Sequence, residues 1–125
     1  MKYLIAAFAV FLLPATGNAE PSTFFKTCED IKLSDDGLSF SAKCKKKDQS
    51  INQTSIALKG IHNLDGKLSM GAGESTYQKS CDTVRLQLSP EFRLTAICKT
   101  AAGRPSNTQL PLEGFHNIDG VLTKS

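Results

Sequence analysis

The sequence predicts an all-β protein made of two tandem repeats that pack on each other or exchange strands, with short helical turns and one shared core. Three observations carry this prediction. The chain matches itself at a shift of 54 residues, and apolar residues alternate with polar ones along short segments. Hydrophobic residues make up 40% of the chain, but only about a third of residues 20–125, which is too few for a separate core in each repeat.

The first 19 residues predict a secretory signal peptide. Lys2 gives a charged start, an apolar run extends from Leu4 to Leu13, and the small residues Gly17 and Ala19 precede a predicted cleavage site before Glu20. The run is shorter than the ~20 apolar residues of a transmembrane helix, so we expect no membrane span. The rest of the chain is therefore expected to form one secreted or periplasmic domain.

The overall charge excludes a strongly basic nucleic-acid-binding protein. The chain carries 15 basic and 12 acidic residues, and loss of the signal peptide removes only Lys2 from this balance. So small an excess is insufficient for strong binding to a phosphate backbone, and we expect no nucleic-acid partner. The run Lys45-Lys46-Lys47 is interpreted as a solvated face.

The two repeats span about residues 24–70 and 76–125. The segment IHNLDGKL (61–68) recurs as FHNIDGVL (115–122), and the second repeat carries one extra residue in a predicted hairpin loop. Repeats of about fifty residues are too short for a secure core of their own. We therefore expect them to pack on each other or to exchange strands, with two separate beads on a string as the alternative.

The four cysteines predict disulfides, because an exported protein with an even cysteine count is typically oxidised. No C-x2-C spacing suggests a zinc site. Each cysteine pair straddles its own predicted turn, which favours Cys28–Cys44 and Cys81–Cys98 among the three possible pairings. Each bond would close a loop of about 15 residues, worth ~3 kcal/mol in the chain-entropy model.

Period-two alternation predicts five strands. They are Leu38–Cys44, Ser55–Leu58, Val84–Leu88, Phe92–Ala96 and Gln109–Leu112. Pro111 cannot donate a ladder hydrogen bond, so the last of them is predicted to be an edge strand or a strand end. A short helical turn is predicted around Leu58 to His62.

The register of the first hairpin follows from placing apolar residues opposite each other. This predicts the pairs Ile31–Phe40 and Leu33–Leu38. Because Cys28 and Ile31 differ in parity, the hairpin then needs a one-residue bulge between them. The matching pairs of the second repeat are Leu86–Phe92 and Val84–Leu94.

Nothing in the sequence favours an enzyme. His62 and His116 are the only histidines, they occupy matching positions, and no nucleophile motif or phosphate-binding loop accompanies them. Each histidine is interpreted as packing or capping beside its own turn, and no metal site is expected.

The repeated turns Asn63-Leu-Asp-Gly66 and Asn117-Ile-Asp-Gly120 have two interpretations. Asn, Asp and Gly favour tight turns through local hydrogen bonds and tolerance of positive φ. The same amide and carboxylate groups could also offer donors and acceptors to a polar ligand such as a sugar. A further polar motif, Asn52-Gln53-Thr54, is an N-glycosylation sequon.

These features together resemble the cyanovirin-N family of lectins over nearly the whole mature chain. The carriers are FFKTCEDIKL (24–33) with TYQKSCDTVRL (76–86), KCKKKD (43–48) with ICKTAAG (97–103), and TSIALKGIHNLDGKLS (54–69) with TQLPLEGFHNIDGVLT (108–123). The resemblance implies a compact pseudo-symmetric all-β fold with strands exchanged between the two repeats and one disulfide within each repeat. It also implies no cofactor, and a monomer or a dimer that swaps halves through Gly71–Gly73.

The resemblance also implies a secreted lectin for mannose-type oligosaccharides, with glycans or glycoproteins as partners and up to two sites. The first site would use Lys26, Thr27, Lys45, Lys47, Asn117 and Asp119. The second would use His62, Asn63, Asp65, Thr76, Lys79, Ser80, Lys99, Thr100, Ala101 and Gly103. Ala101 and Gly103 replace larger polar side chains, which favours the alternative of a secreted protein-interaction or inhibitor module without sugar binding.

Overall fold

The computed structural model describes residues 20–125, so the predicted signal peptide lies outside the described residues. Each repeat contains a 3₁₀ turn, a three-stranded antiparallel sheet and a two-stranded hairpin. The first repeat comprises the 3₁₀ turn Phe24–Lys26, β1 (Cys28–Leu33), β2 (Ser39–Lys45), β3 (Ile51–Ala57), β4 (Ile61–Leu64) and β5 (Lys67–Met70). The second comprises the 3₁₀ turn Tyr77–Lys79, β6 (Cys81–Gln87), β7 (Arg93–Lys99), β8 (Pro105–Pro111), β9 (Phe115–Ile118) and β10 (Val121–Lys124).

The hairpin of each repeat packs against the sheet of the other repeat. The Leu68 N–H of β5 donates to the Thr108 hydroxyl of β8 at 3.0 Å, and the Leu122 N–H of β10 donates to the Thr54 hydroxyl of β3 at 3.2 Å. The predicted exchange of strands between repeats is therefore confirmed, and the two-bead alternative is wrong. β8, which ends at Pro111, is an edge strand of its sheet, as predicted.

Four phenylalanines from both repeats form the centre of one shared core. The Phe24 ring lies 5.2 Å from the Phe40 ring and 4.8 Å from the Phe92 ring, and the Phe40 and Phe115 rings are 5.3 Å apart. Edge-to-face aromatic pairs contribute ~1 kcal/mol each beyond the burial of their surface. The core therefore depends on both copies being present, as the low hydrophobic content predicts.

Both predicted disulfides are present, Cys28–Cys44 and Cys81–Cys98. Each joins the first two strands of its sheet at directly opposed positions. Cys44 and Cys98 are completely buried beneath the sheets, so the disulfides also contribute apolar surface to the core.

The predicted hairpin register is wrong by two residues, although a bulge is present. Leu33 lies opposite Phe40, and in the second repeat Leu86 lies opposite Leu94. The predicted position of the bulge, between Cys28 and Ile31, is confirmed, and Asp30 adopts a φ of 56° there. Both registers place apolar residues opposite each other, so alternation alone cannot choose between them.

The predicted helical turn at Leu58–His62 is also wrong, because β4 already begins at Ile61. Gly60 adopts a φ of 78° there, which bends the chain sharply between β3 and β4. The helical turns lie instead before each first cysteine. Among residues 20–125, no helix has the length and apolar character needed to cross a membrane.

Candidate functional site

The first predicted site forms a surface that we name the first tip (Lys26–Thr27, Lys45–Ser50 and Asn117–Gly120). Asn117 connects its three segments. Its side-chain amide donates to the Thr27 hydroxyl at 2.9 Å and to the Lys45 carbonyl at 3.0 Å, and its oxygen accepts from the Gly120 N–H at 2.7 Å. One side chain therefore joins both chain ends of the molecule to the loop between β2 and β3.

The turn of the first tip is locked onto the loop by two further contacts. One carboxylate oxygen of Asp119 accepts from the Lys47 N–H at 2.8 Å, and the Asn52 amide donates to the Gly120 carbonyl at 2.7 Å. A Cβ on Gly120 would lie 2.6 Å from the Lys46 stem, so only glycine allows this approach. The sequon asparagine Asn52 is thus part of the contact between repeats.

The second predicted site forms the second tip (Asn63–Gly66, Lys79–Ser80 and Lys99–Arg104), with the same hydrogen bonds. The Asn63 amide donates to the Ser80 hydroxyl at 2.8 Å and to the Lys99 carbonyl at 2.9 Å. Its oxygen accepts from the Gly66 N–H at 2.8 Å. One carboxylate oxygen of Asp65 accepts from the Ala101 N–H at 2.8 Å.

The structure brings together the residues predicted for each site, and it also changes the role of the two asparagines. Both amide protons and the oxygen of Asn63 and Asn117 are engaged within the protein. These side chains therefore position the tips. The groups left for a ligand are the second carboxylate oxygens of Asp65 and Asp119 and the exposed side chains around them.

The exposed side chains differ between the tips. The first tip presents Lys26, Lys45 and Lys47 to solvent. In the second tip, Lys79 and Lys99 are exposed, but the loop after β7 contains Ala101 and Gly103, which carry no polar group. The Thr100 hydroxyl of that loop accepts from the Arg104 N–H at 3.2 Å.

The two histidines lie beside the tips and form matching structural contacts. The Nε2–H of His62 donates to the Ala72 carbonyl at 2.9 Å, so the neutral ring accepts at Nδ1 from the Thr76 hydroxyl at 2.6 Å. His116 Nδ1 lies 2.6 Å from the Thr23 hydroxyl. The interpretation that each histidine packs or caps beside its own turn is confirmed, with the ring hydrogen bonds made to neighbouring segments and not to the turns themselves. His62 and Thr76 thus bind each other and the segment that joins the repeats.

Two buried serines, Ser22 and Ser75, position the hairpins and were missed by the sequence reasoning. The Ser75 hydroxyl donates to the Leu58 carbonyl at 2.5 Å and accepts from the Ile61 N–H at 3.0 Å. Ser22 forms the equivalent bonds at the other repeat. Their signal is the match of Ser22-Thr23-Phe24 with Ser75-Thr76-Tyr77 at a shift of 53.

An apolar cavity of about 360 Å³ opens between the repeats, away from both tips. Its walls include repeat-related pairs, Leu58 with Leu112 and Ile61 with Phe115. Met70, at its edge, is 56% exposed. Its walls are mostly apolar, with Lys59, Glu113 and Lys124 as the charged residues of the lining.

Comparisons with known proteins place these features in context. Residues 24–123 match the family model of the CVNH domain. Microvirin, solved in complex with mannobiose, is 28% identical, with a TM-score of 0.68 over 83% of this chain and 99% of that chain. A MoCVNH3 variant solved with (N-GlcNAc)4 is 18% identical, with a TM-score of 0.69 over 87% of this chain and 100% of that chain.

CVNH from N. crassa is 23% identical, with a TM-score of 0.63 over 82% of this chain and 97% of that chain. At identities of 23% and 18%, the similarities to the N. crassa protein and to the MoCVNH3 variant show that these chains share a fold with this one. A sequence comparison with curated proteins gives no match.

Proposed function

The chain belongs to the CVNH domain family, and from this membership we propose that it is a secreted lectin that binds mannose-type oligosaccharides at its two tips. The observation that carries the proposal is the similarity to microvirin over 83% of this chain, because the solved microvirin complex contains mannobiose. Secretion is supported by the apolar start of the sequence. N-terminal sequencing of exported protein should begin at Glu20, and an intact Met1 would contradict the export proposal.

The tips are suited to a sugar because their backbone is held rigid before a ligand arrives. Asn63 and Asn117 each join three segments, so binding does not have to order these loops. The second carboxylate oxygen of Asp65 or Asp119 can accept from a sugar hydroxyl, and nearby lysine amines can donate. Ala101 and Gly103 leave fewer donors at the second tip, so we expect the first tip to bind more tightly.

A glycan array with residues 20–125, in the disulfide-bonded form, tests the proposal. Binding of mannose-type oligosaccharides is the expected result, and an array without any bound glycan would contradict it.

Asp65→Asn and Asp119→Asn then identify which tip binds. Asparagine keeps the oxygen that accepts from Ala101 or Lys47 and tolerates the positive φ of these positions, but it removes the negative charge. We expect about tenfold weaker binding at the altered tip, since a hydrogen bond to a charged group is worth ~1.5–3 kcal/mol. Asp36→Asn is the matched control, because Asp36 caps a loop outside both tips.

The apolar cavity between the repeats favours a second candidate function, a protein-interaction module. Exposed apolar patches beside cavities are typical of protein-binding surfaces. In this case a captured partner should resist competition by free oligosaccharide. Met70→Gln should weaken its capture without changing the glycan array. Release of the partner by oligosaccharide would favour the lectin.

A further inference from the structure

The ion pairs of residues 20–125 lie outside the two tips. Lys32 and Lys43 flank Asp30 at 3.6 and 3.5 Å on the first sheet. The remaining pairs are Lys59–Glu74 at 3.8 Å and Arg93–Glu91 at 3.0 Å, and His116 Nε2 lies 3.4 Å from a Glu20 carboxylate oxygen. Outside the tips, the described basic residues without such a pair are Lys67, Arg85 and Lys124.

All the basic side chains of the two tips lack a carboxylate within 4.0 Å in the described part of the chain. All of these side chains are exposed. Those of the first tip are Lys26, Lys45, Lys46 and Lys47, and those of the second are Lys79, Lys99 and Arg104.

The acidic residues within the tips are already engaged with the backbone. Asp119 and Asp65 each accept from a loop N–H at 2.8 Å. Asp48 accepts from the Ser50 hydroxyl at 2.5 Å and from the Ser50 N–H at 2.9 Å. These contacts with Ser50 hold the pKa of the Asp48 carboxyl below its usual value. The tips therefore have an excess of positive charge that the small net charge of the whole chain conceals.

We propose that the tips select acidic glycans, meaning oligosaccharides that carry sulfate, phosphate or carboxylate groups. This inference rests on the proposed lectin function and specifies its substrate class. A lysine amine without a carboxylate partner can pair with an anionic substituent without first breaking another ion pair. At the second tip, Arg104 and Lys99 would supply the affinity that Ala101 and Gly103 cannot supply through polar arms.

The experiment compares one mannose-type oligosaccharide with its sulfated form, by calorimetry at low and at high salt. We expect the sulfated form to bind about tenfold more tightly at low salt, from two or more exposed ion pairs. The advantage should shrink as salt screens the charges. Equal affinities for both forms would overturn this inference and leave the lectin function standing. Absence of binding by either form would overturn both.

A phosphorylated and a uronate-containing oligosaccharide distinguish the sources of the anionic group. The order of affinities among the sulfated, phosphorylated and uronate-containing sugars identifies the preferred anionic group, and the sulfated form must in every case bind more tightly than its neutral parent. A single-stranded DNA of equal charge serves as the polyanion control. If it binds as tightly as the sulfated sugar, the tips respond to charge alone, and the assignment to glycans is overturned.

The variant pair Lys45→Gln with Lys47→Gln assigns the effect to the first tip. Glutamine leaves intact the backbone bonds from Lys45 N to Thr27 O at 3.0 Å and from Lys47 N to Asp119 at 2.8 Å. We expect the sulfated form to lose most of its advantage over the neutral form, whose own affinity should fall less because glutamine keeps a hydrogen-bond donor but not the charge. The matched control is Lys32→Gln with Lys43→Gln, which removes the same charge from the ion-paired sheet face. An equal loss in the control would overturn the proposal.

Discussion

The loops that close the two tips, residues 45–50 and 99–104, share a backbone frame and differ in almost every side chain. In the first, the Gln49 N–H donates to the Lys46 carbonyl at 2.9 Å, and in the second the Gly103 N–H donates to the Thr100 carbonyl at 2.8 Å. The repeat has thus preserved the hydrogen bonds that shape the tips. The side chains that would meet a ligand differ, which means that the two tips need not bind the same sugar.

The two loops also reach the same turn by different means. The first places Gln49 at a φ of 73°, and Asp48 reinforces it by binding Ser50. The second places Gly103 at a φ of 79°, where the residue carries no side-chain strain. The first loop therefore stabilises its turn with side-chain hydrogen bonds, whereas the second loop uses a glycine that adopts the positive φ without strain.

The disulfides provide the first test of how alike the repeats are. Cys28→Ala with Cys44→Ala, and Cys81→Ala with Cys98→Ala, should each lower the free energy of unfolding by ~3 kcal/mol. The two losses should be similar, because the loops span 16 and 17 residues. Urea denaturation followed by circular dichroism measures both. A loss confined to one repeat would show that the other repeat is stable without its cross-link.

The asparagines of the tips test whether the shared frame is structural. Asn63→Ala and Asn117→Ala each remove three hydrogen bonds and should each cost ~2 kcal/mol of unfolding free energy. Thermal or urea unfolding gives the values, with the exposed Asn107→Ala as a control that should change stability by less than ~0.5 kcal/mol. If the tip variants bind sugar weakly but unfold like the parent, these asparagines contact ligand rather than position loops.

Much of the fold could be predicted because repetition and alternation are independent signals. The apolar matches between repeats predicted the shared core, and the cysteine placement predicted both disulfides. The hairpin register could not be predicted in the same way. The predicted and the observed registers both place apolar residues opposite each other, and alternation contains no signal for the positive φ of Asp30 and Thr83 at the bulges.

The sites could be assembled from the sequence, but the roles of their residues could not. The repeated turns predicted Asn63 and Asn117 as possible ligand contacts. Their partners, such as Ser80 and the Lys99 carbonyl, lie far away in the sequence, and backbone acceptors have no sequence signal. The excess of positive charge at the tips could not be predicted either, because the fold decides which charged residues lie close enough to form ion pairs.

Tyr77 and Phe24 occupy matching buried positions, and this difference between the repeats predicts an alkaline effect. The Tyr77 hydroxyl donates to the Gly37 carbonyl at 2.6 Å. Burial, and then the nearby Asp36 charge, raise the pKa of Tyr77 to about 12. The unfolded chain loses this proton near pH ~10, so the folded state binds more protons between about pH 10 and 12. The contribution to stability is complete below pH ~10 and is lost as the pH rises towards 12.

Tyr77→Phe, which copies the first repeat, isolates this effect. It should cost ~1 kcal/mol near neutral pH, because the Gly37 carbonyl loses its buried donor. The difference in stability from the parent should shrink as the pH rises from about 10 to 12. Residues 20–125 contain no other tyrosine and no tryptophan, so absorbance reports the Tyr77 titration directly. Titration near the ordinary pKa of tyrosine would contradict the buried hydroxyl.

Gln49→Gly makes the first loop resemble the second and should have the smallest effect. A left-handed φ costs a residue with a side chain ~1 kcal/mol, and glycine avoids most of that cost. The Asp48–Ser50 bonds remain in the variant. Glycine loses more entropy on folding, so we expect the free energy of unfolding to rise by a net ~0.5 kcal/mol.

The reverse change, Gly103→Gln, has open space for its Cβ and should lower the free energy of unfolding by a similar amount, since the second loop has no Asp48 equivalent. Urea denaturation should show opposite shifts, and shifts of the same sign would mean that the loops differ in backbone frame as well as in side chains.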